Sequence, residues 1–197
     1  MKMKKATYNL IINRRSIRKF LPQPIDMKIL AEVVNAARLA PSAANVQPLE
    51  YVVVDDKDQT ENIFPLTTWA GYIQPEGTPP AGQRPTAYVA VVVNQEIARS
   101  DYYLVDMGLA VENLILAAAE QGIGSCIIGA CDKEKIGEIV NLPSNRKVEL
   151  VIALGYPAEK PVAEDAESDS IKYYQDSRGR LHVPKRHLKA IMQHNRY

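Results

Sequence analysis

Apolar residues along this chain recur with two periods, and the change from one to the other divides it into helices and strands. Asp26 can accept the free N–H groups of a helix start, and MKILAEVVNAARLA then places Ile29, Leu30, Val33, Val34 and Ala37 at helical spacing. Pro41 ends that helix near Ala40. Residues 7–13 and 56–66 predict shorter helices. Residues 51–54 and 87–93 predict strands, the second a continuous apolar run. Residues 101–121 predict a long helix with apolar side chains on nearly all faces through LAVENLILAAAE, a pattern that requires burial all round. Strands at 125–129 and 148–155 follow, separated by a short helix at 132–141 with Asp132 as its cap.

Other segments break the periodicity. RRSIRKFLPQP carries three arginines and two prolines and is read as extended or looped. PSAANVQP, bracketed by prolines and rich in small residues, is a loop between a helix and a strand and the first place to expect chemistry. Residues 67–85 hold four prolines and three glycines in a length that is usually functional or mobile. Within it Trp69 and Tyr72 either anchor the loop or stack on a substrate. Composition shifts after Tyr156, with prolines at 157 and 161 and a solvated acidic run of Glu164, Asp165, Glu167 and Asp169. A hairpin around 177–179 and a terminal helix over KRHLKAIMQHN are expected next. The chain is read as one domain, 1–197, with residues 157–197 as its C-terminal arm.

Composition narrows the function classes. The 24 Lys and Arg against 23 Asp and Glu leave a net charge of +1, so no overall field draws a nucleic acid. A compact chain of 21.9 kDa would expose roughly 9,300 Å² and bury about 70% of its extended surface, enough for a sizeable core. The opening apolar run is too short for a secretory signal, and residues 109–119 fall short of a membrane span, so a cytoplasmic protein with no membrane partner is expected. Cys126 and Cys131 read as core thiols. The histidines 182, 187 and 194 all lie in the tail, read as exposed, and with no HExxH they propose no metal. Gly122, Gly124 and Gly129 miss the dinucleotide spacing, and Gly122 is better explained as a helix C-cap. The cations Arg14, Arg15, Arg18 and Lys19 around Ser16 are either a solvated face or a phosphate site. Burying the long apolar helix is easier if a second copy covers one side, which predicts a homodimer.

Taken in order, RRSIRKF, APSAANVQP, LAVENLILAAAEQGIGSCIIGA and VELVIALGYPAEKP, with HVPKRHL near the end, resemble the FMN-dependent nitroreductase family. The match spans residues 8–160. The resemblance implies an α+β fold, a mixed central β-sheet flanked by helices, and a homodimer with a long interface helix and FMN between the subunits. It assigns Arg14, Ser16 and Arg18 to the phosphate and pyrimidine, with Arg15 beside them and Lys185 or Arg186 as a second cation from the far end. Pro41, Ser42, Ala43 and Asn45 would line the flavin, partly from the partner subunit. The backbone of Ile128 and Gly129 would face its reactive N5 side. Some members carry an acidic residue where this chain has Ile128, and a lysine from the middle segment, where Arg84 is the only cation. The implied activity is transfer of hydride from NADH or NADPH to a small-molecule acceptor, a nitroaromatic or quinone, with no side chain named as catalytic acid or base. The alternatives are a dehalogenating or flavin-degrading enzyme of the same superfamily, or a non-catalytic flavin-binding dimer.

Overall fold

The sequence folds because two of its strands are apolar on both sides and need cover on both faces. The structure, a computed structural model, describes residues 6–98, 100–167 and 170–196. Strands β1 (Leu49–Val54), β2 (Ala87–Asn94), β3 (Gly124–Ile128) and β4 (Arg146–Gly155) form a sheet in the order β1-β2-β4-β3. Helices α1 (Ala6–Asn13), α2 (Met27–Arg38), α3 (Lys57–Ile63), α4 (Tyr103–Glu120) and α5 (Lys133–Ile139) surround it, an α+β arrangement. Along β2, Ala87, Val89 and Val91 face α2 and α4, while Tyr88, Ala90 and Val92 face the core that holds α3 and α5 residues. The period of two expected of a strand is thus hidden inside a uniformly apolar run.

The pairings within this sheet are all antiparallel, which corrects the expected mixed sheet. Parallel contact enters only through the bridge Ser16–Ser125 at its β3 edge and in a separate small sheet described below. The antiparallel pairing follows from connections that return the chain after each crossing.

In β4, Val148 belongs to the α5 side and Leu150 to the α4 side, although residues two apart in a regular strand share a face. A bulge at Glu149 explains the inversion, since β2 pairs Val91 with Leu150 and Val92 with Val148. The bulge buries the Glu149 carboxylate, 7% exposed, among Lys147 Nζ at 2.8 Å, Lys133 Nζ at 3.1 Å and the Tyr103 hydroxyl at 3.1 Å. Burial works to raise its pKa, but those donors outweigh it and hold the carboxyl below the usual range.

Caps fall where expected. Asp26 accepts from the Lys28 amide at 2.8 Å, Asp132 from the Lys135 amide at 3.1 Å, and Gly122 has φ +75°, which suits a left-handed residue closing α4. The expectation that α4 is buried all round is corrected: Leu104, Val105 and Leu109 are exposed, as are Tyr8, Ile11 and Ile12 on the adjoining α1.

The C-terminal residues form a sheet of β5 (Val162–Asp165), β6 (Tyr174–Gln175) and β7 (Leu181–Lys185) in the order β5-β7-β6. The expected hairpin joins β6 to β7, with Gly179 at φ +74° in its turn. The expected terminal helix is corrected to one 3-10 turn, Leu188–Ala190. Leu188, Ile191 and Met192 are exposed there, and an apolar face without a surface to cover it does not stabilise a helix so short.

His182 is corrected from an exposed histidine to one held at three points. Its Nδ1 lies 2.7 Å from Glu164 of β5, its Nε2 lies 3.4 Å from Asp176 after β6, and its ring stacks on Tyr174 at 5.0 Å. Glu164 also accepts from the Tyr174 hydroxyl at 2.8 Å, so the acidic run is not simply solvated; its Asp169 lies outside the described residues. Hydrogen bonding to Glu164 raises the His182 pKa, with burial opposing and Asp176 adding. The stability this group lends is full below the ordinary histidine value, about 6.5. It is lost as pH rises through the higher value of the folded state. Amide exchange at β7 should therefore accelerate as pH climbs through that window, beyond the intrinsic pH dependence of exchange, and His182→Gln should abolish the excess.

Candidate functional site

The arginine run leaves α1 as an extended segment stitched to the edge of the sheet. Ile17 N donates to Ser125 O at 2.9 Å, Leu21 N to Tyr156 O at 2.8 Å, and Ala158 N returns to Lys19 O at 2.8 Å. Glu159 accepts from the amides of Arg18 at 2.5 Å and Lys19 at 3.3 Å. Ile17 and Phe20 point inward onto two strand glycines. A Cβ on Gly124 would stand 2.8 Å from Ile17 Cγ1, and one on Gly155 would stand 2.7 Å from Phe20 Cδ1. The glycines are there so that this segment can lie flat on the sheet, and that seating fixes where its cations go.

Those cations are only half-exposed. Arg14 Nε lies 3.8 Å from Glu112 on α4, beyond hydrogen-bond range, and Arg15 turns its terminal nitrogens onto the carbonyls of Arg14 and Ile12. The Nε of Arg14 and that of Arg15 are both buried without a hydrogen-bond partner. Burial, with the charge of Arg14 second, pulls the Arg15 pKa down. Two adjacent guanidiniums beside Arg18 and Lys19 concentrate positive charge on this segment, a donor set suited to an anion. The Arg18 guanidinium sits 5.2 Å from the centre of the Tyr173 ring and beside Cys126, whose thiol burial pushes upward in pKa.

The second candidate region is the loop 41–48. It contains a 3-10 turn, Ala43–Asn45, with Ala44, Asn45 and Gln47 at φ 49°, 54° and 53°. Left-handed backbone at three non-glycine residues costs energy and persists only where something over-determines it. Asp106 on α4, 5% exposed, does so: its carboxylate accepts from Ser42 Oγ at 2.7 Å and from the Ala43 amide at 3.0 Å. Ser42 Oγ in turn accepts from the Gln47 amide at 3.0 Å. Asp106 was missed by sequence reasoning, though an acidic residue inside the apolar helix LVDMGLAVEN was the available signal.

Helix α4 thus carries both regions, Arg14 at Glu112 and the loop at Asp106. Six residues apart, these positions are about 9 Å apart along the axis and about 120° apart around it. Asp106 and Glu112 therefore lie on different faces of α4.

The remaining predicted residues fall as follows. Ile128 is 3% exposed with its side chain in the core, whereas Ile127 before it is 44% exposed, so β3 turns the side chain of 127, not 128, outward. Gly129 is exposed, and a Cβ there would meet nothing within 4 Å. Lys185 ends β7 opposite Asp165, and Arg186 donates to Ala190 O at 3.3 Å, so the contacts shown for both lie within the C-terminal residues. Arg84 is engaged elsewhere, paired with Glu61 and lying 4.1 Å over the Phe64 ring. Trp69 anchors its loop, buried with its indole donating to Thr67 Oγ1 at 2.9 Å, while Tyr72 is exposed and packs on Tyr173 at 4.9 Å.

A doubly covered antiparallel sheet, with an arginine run laid across its edge and a small-residue loop bonded to α4, makes an α+β protein with two candidate binding regions. The pattern of the Nitroreductase family matches residues 11–156, and the chain belongs to that family of oxidoreductases. It is 31% identical over 159 residues to a protein of Archaeoglobus fulgidus whose name joins NADH dehydrogenase with NAD(P)H nitroreductase, covering 77% of this chain and 85% of that one. It is 26% identical over 169 residues to an iodotyrosine deiodinase of Thermotoga neapolitana, covering 78% and 89%. A nitroreductase family protein of Clostridium novyi superposes with TM-score 0.65 at 28% identity, over 77% of this chain and 84% of that one. A Parabacteroides distasonis structure shares the fold over 98% of this chain and all of its own, with TM-score 0.72 at 21% identity.

Proposed function

We propose that this protein is an FMN-dependent NAD(P)H oxidoreductase that reduces nitroaromatic, quinone or similar small acceptors in two successive half-reactions at one site. The observation that carries the reading is the cluster of half-exposed Arg14, Arg15 and Arg18 around Ser16, laid along the sheet edge within the segment that matches the family, a donor set suited to a dianionic group such as the phosphate of FMN. Arg14, Arg15, Ser16 and Arg18 hold that phosphate and the pyrimidine edge, and Lys185 or Arg186 adds a further cation. Pro41, Ser42, Ala43 and Asn45 line the ring system, whose close approach their small side chains permit. The exposed backbone of Gly129, beside Ile128, leaves the space for a flat ring and for a nicotinamide stacked on it. When bound, FMN supplies the two-electron chemistry, taking hydride at N5 from NADH or NADPH and passing it to the acceptor. The protein binds and orients; its residues provide no named acid or base.

The active unit is a homodimer. The described chain exposes 12484 Å², well above the roughly 9,300 Å² of a compact chain of its mass, and its uncovered apolar face on α1 and α4 is where a second copy packs. A dimer also answers the separation of the two half-sites around α4, since the loop of one copy can complete the arginine site of the other. Residues 1–197 act as one unit, with 157–197 as its C-terminal arm. The likeness to an iodotyrosine deiodinase keeps reductive dehalogenation as the second reading.

The anaerobic visible spectrum of the purified protein tests this. Flavin bands that bleach on adding NADH or NADPH are expected; a colourless protein that takes up no added FMN overturns the reading. A flavin that stays oxidised with both donors, but turns over an iodinated phenol with dithionite, favours the second one.

A further inference from the structure

A carboxylate buried in the middle of an apolar helix face needs a reason, and at Asp106 the reason lies outside the helix. Its two side-chain oxygens are taken by Ser42 Oγ at 2.7 Å and by the Ala43 amide at 3.0 Å, both from the loop 41–48. The same Ser42 oxygen receives the Gln47 amide at 3.0 Å, so one carboxylate organises a chain of bonds that spans the turn. Inside that span lie the left-handed residues Ala44, Asn45 and Gln47. Behind the loop a cavity of about 120 Å³ is lined in part by Pro41, Ser42, Tyr51, Asp106 and Ala110. Burial pushes the Tyr51 phenol up to about 12, so it stays neutral there and places no second negative charge near the carboxylate. The loop is therefore not packed against a filled core. Beside the turn's own main-chain bonds, Asn45 N to Ser42 O at 2.8 Å and Val46 N to Ala43 O at 3.1 Å, the bonds to Asp106 tie the loop to α4.

We propose that Asp106 is a positioning residue for the flavin loop: it acts through Ser42 and the Ala43 amide to hold residues 43–47 in the strained conformation that FMN requires. This deepens the FMN reading and rests on it. The physical argument is one of donors and acceptors. A carboxylate accepts from both loop donors at once. An amide is a milder change, because the Ser42 hydroxyl can accept as well as donate, whereas truncating the carboxylate to alanine removes both bonds. The three left-handed residues then relax toward ordinary backbone, and the loop loses its preorganised form. Helix α4 gains a second duty in this arrangement. It holds the loop through Asp106 and lies beside the arginine run, with Arg14 Nε 3.8 Å from Glu112.

The test uses the full chain with three variants, Asp106→Ala, Ser42→Ala and the double. FMN affinity is read by quenching of flavin fluorescence, and loop order by amide exchange at residues 43–47 in the flavin-free protein. Each single variant should weaken FMN binding by about 10- to 100-fold, the range expected where buried bonding to a charged group is lost, and the double by little more than either. The visible bands of the flavin that remains bound should shift, and exchange at 43–47 should rise while exchange in β2 and β4 does not. Exchange at 43–47 that stays at the wild-type rate in Asp106→Ala overturns the clamp, whatever the flavin does. Affinity within about twofold of wild type despite faster exchange overturns its role in flavin binding. A wild-type protein that binds no FMN overturns the functional reading and with it the positioning role, while the exchange rates still decide whether the clamp exists.

Discussion

The double variant Arg14→Ala, Arg18→Ala loses FMN on a desalting column, while the protein beneath stays folded. Each guanidinium bond to a phosphate or pyrimidine oxygen is worth about 1.5–3 kcal/mol, so removing two weakens binding by roughly 10²- to 10⁴-fold. The fold survives because neither side chain holds it together. Arg14 has a long contact to a half-exposed Glu112, and its like-charged neighbour Arg15 is already disfavoured by burial and by Arg14 itself. Arg18 forfeits a stacking contact on Tyr173, about 0.5–1 kcal/mol at such a site. Equilibrium titration with FMN, beside a far-ultraviolet dichroism spectrum, checks both halves. Retention of flavin at full occupancy would show that the phosphate lies elsewhere.

The variant Phe20→Ala has the largest effect on stability and a secondary one on the site. Phe20 is wholly buried and packs against the backbone of Gly155, where even one added methyl would have to displace the ring. Truncating a buried Phe costs about 3–5 kcal/mol, the transfer energy of the ring plus the cavity it leaves. For a chain of this length that lowers the melting temperature by roughly 6–20 °C. Phe20 also closes residues 16–21 onto β3 and β4, so the same variant loosens the seating of Ser16 and Arg18 and weakens FMN binding in proportion. Gly155→Val reaches the same outcome from the opposite side by overpacking. Thermal melts followed by dichroism decide; a loss under about 1 kcal/mol would mean that the segment is held by its main-chain bonds alone.

Much of this architecture was legible because local chemistry and burial agreed. The Asp26 and Asp132 caps, the stop at Pro41 and the uninterrupted strand 87–93 are short-range signals, and the structure places the corresponding elements within a few residues of where they predict. The bulge at Glu149 was hidden, since VELVIALG reads as one buried strand and only pairing with β2 shows that its alternation slips. The terminal helix failed for a related reason: a periodic apolar pattern makes a helix only if a surface receives it. Likewise His182 looked like a tail histidine until β5 and β7 paired and brought Glu164 against it.

The same division runs through the site. By itself the sequence determined which residue types are available: a run of guanidiniums, a loop of small residues between prolines, and a helix apolar on nearly all faces. These are properties of composition and near-neighbour spacing, and no later contact changes them. Only the tertiary structure decided that Arg14 and Arg15 are half-exposed on a segment laid along the sheet edge, that Ile127 and not Ile128 turns outward, and that Asp106 grips the loop 64 positions before it. Those outcomes depend on strand register and on contacts between distant segments, which a single strand or helix does not encode because each is settled by the surface it meets.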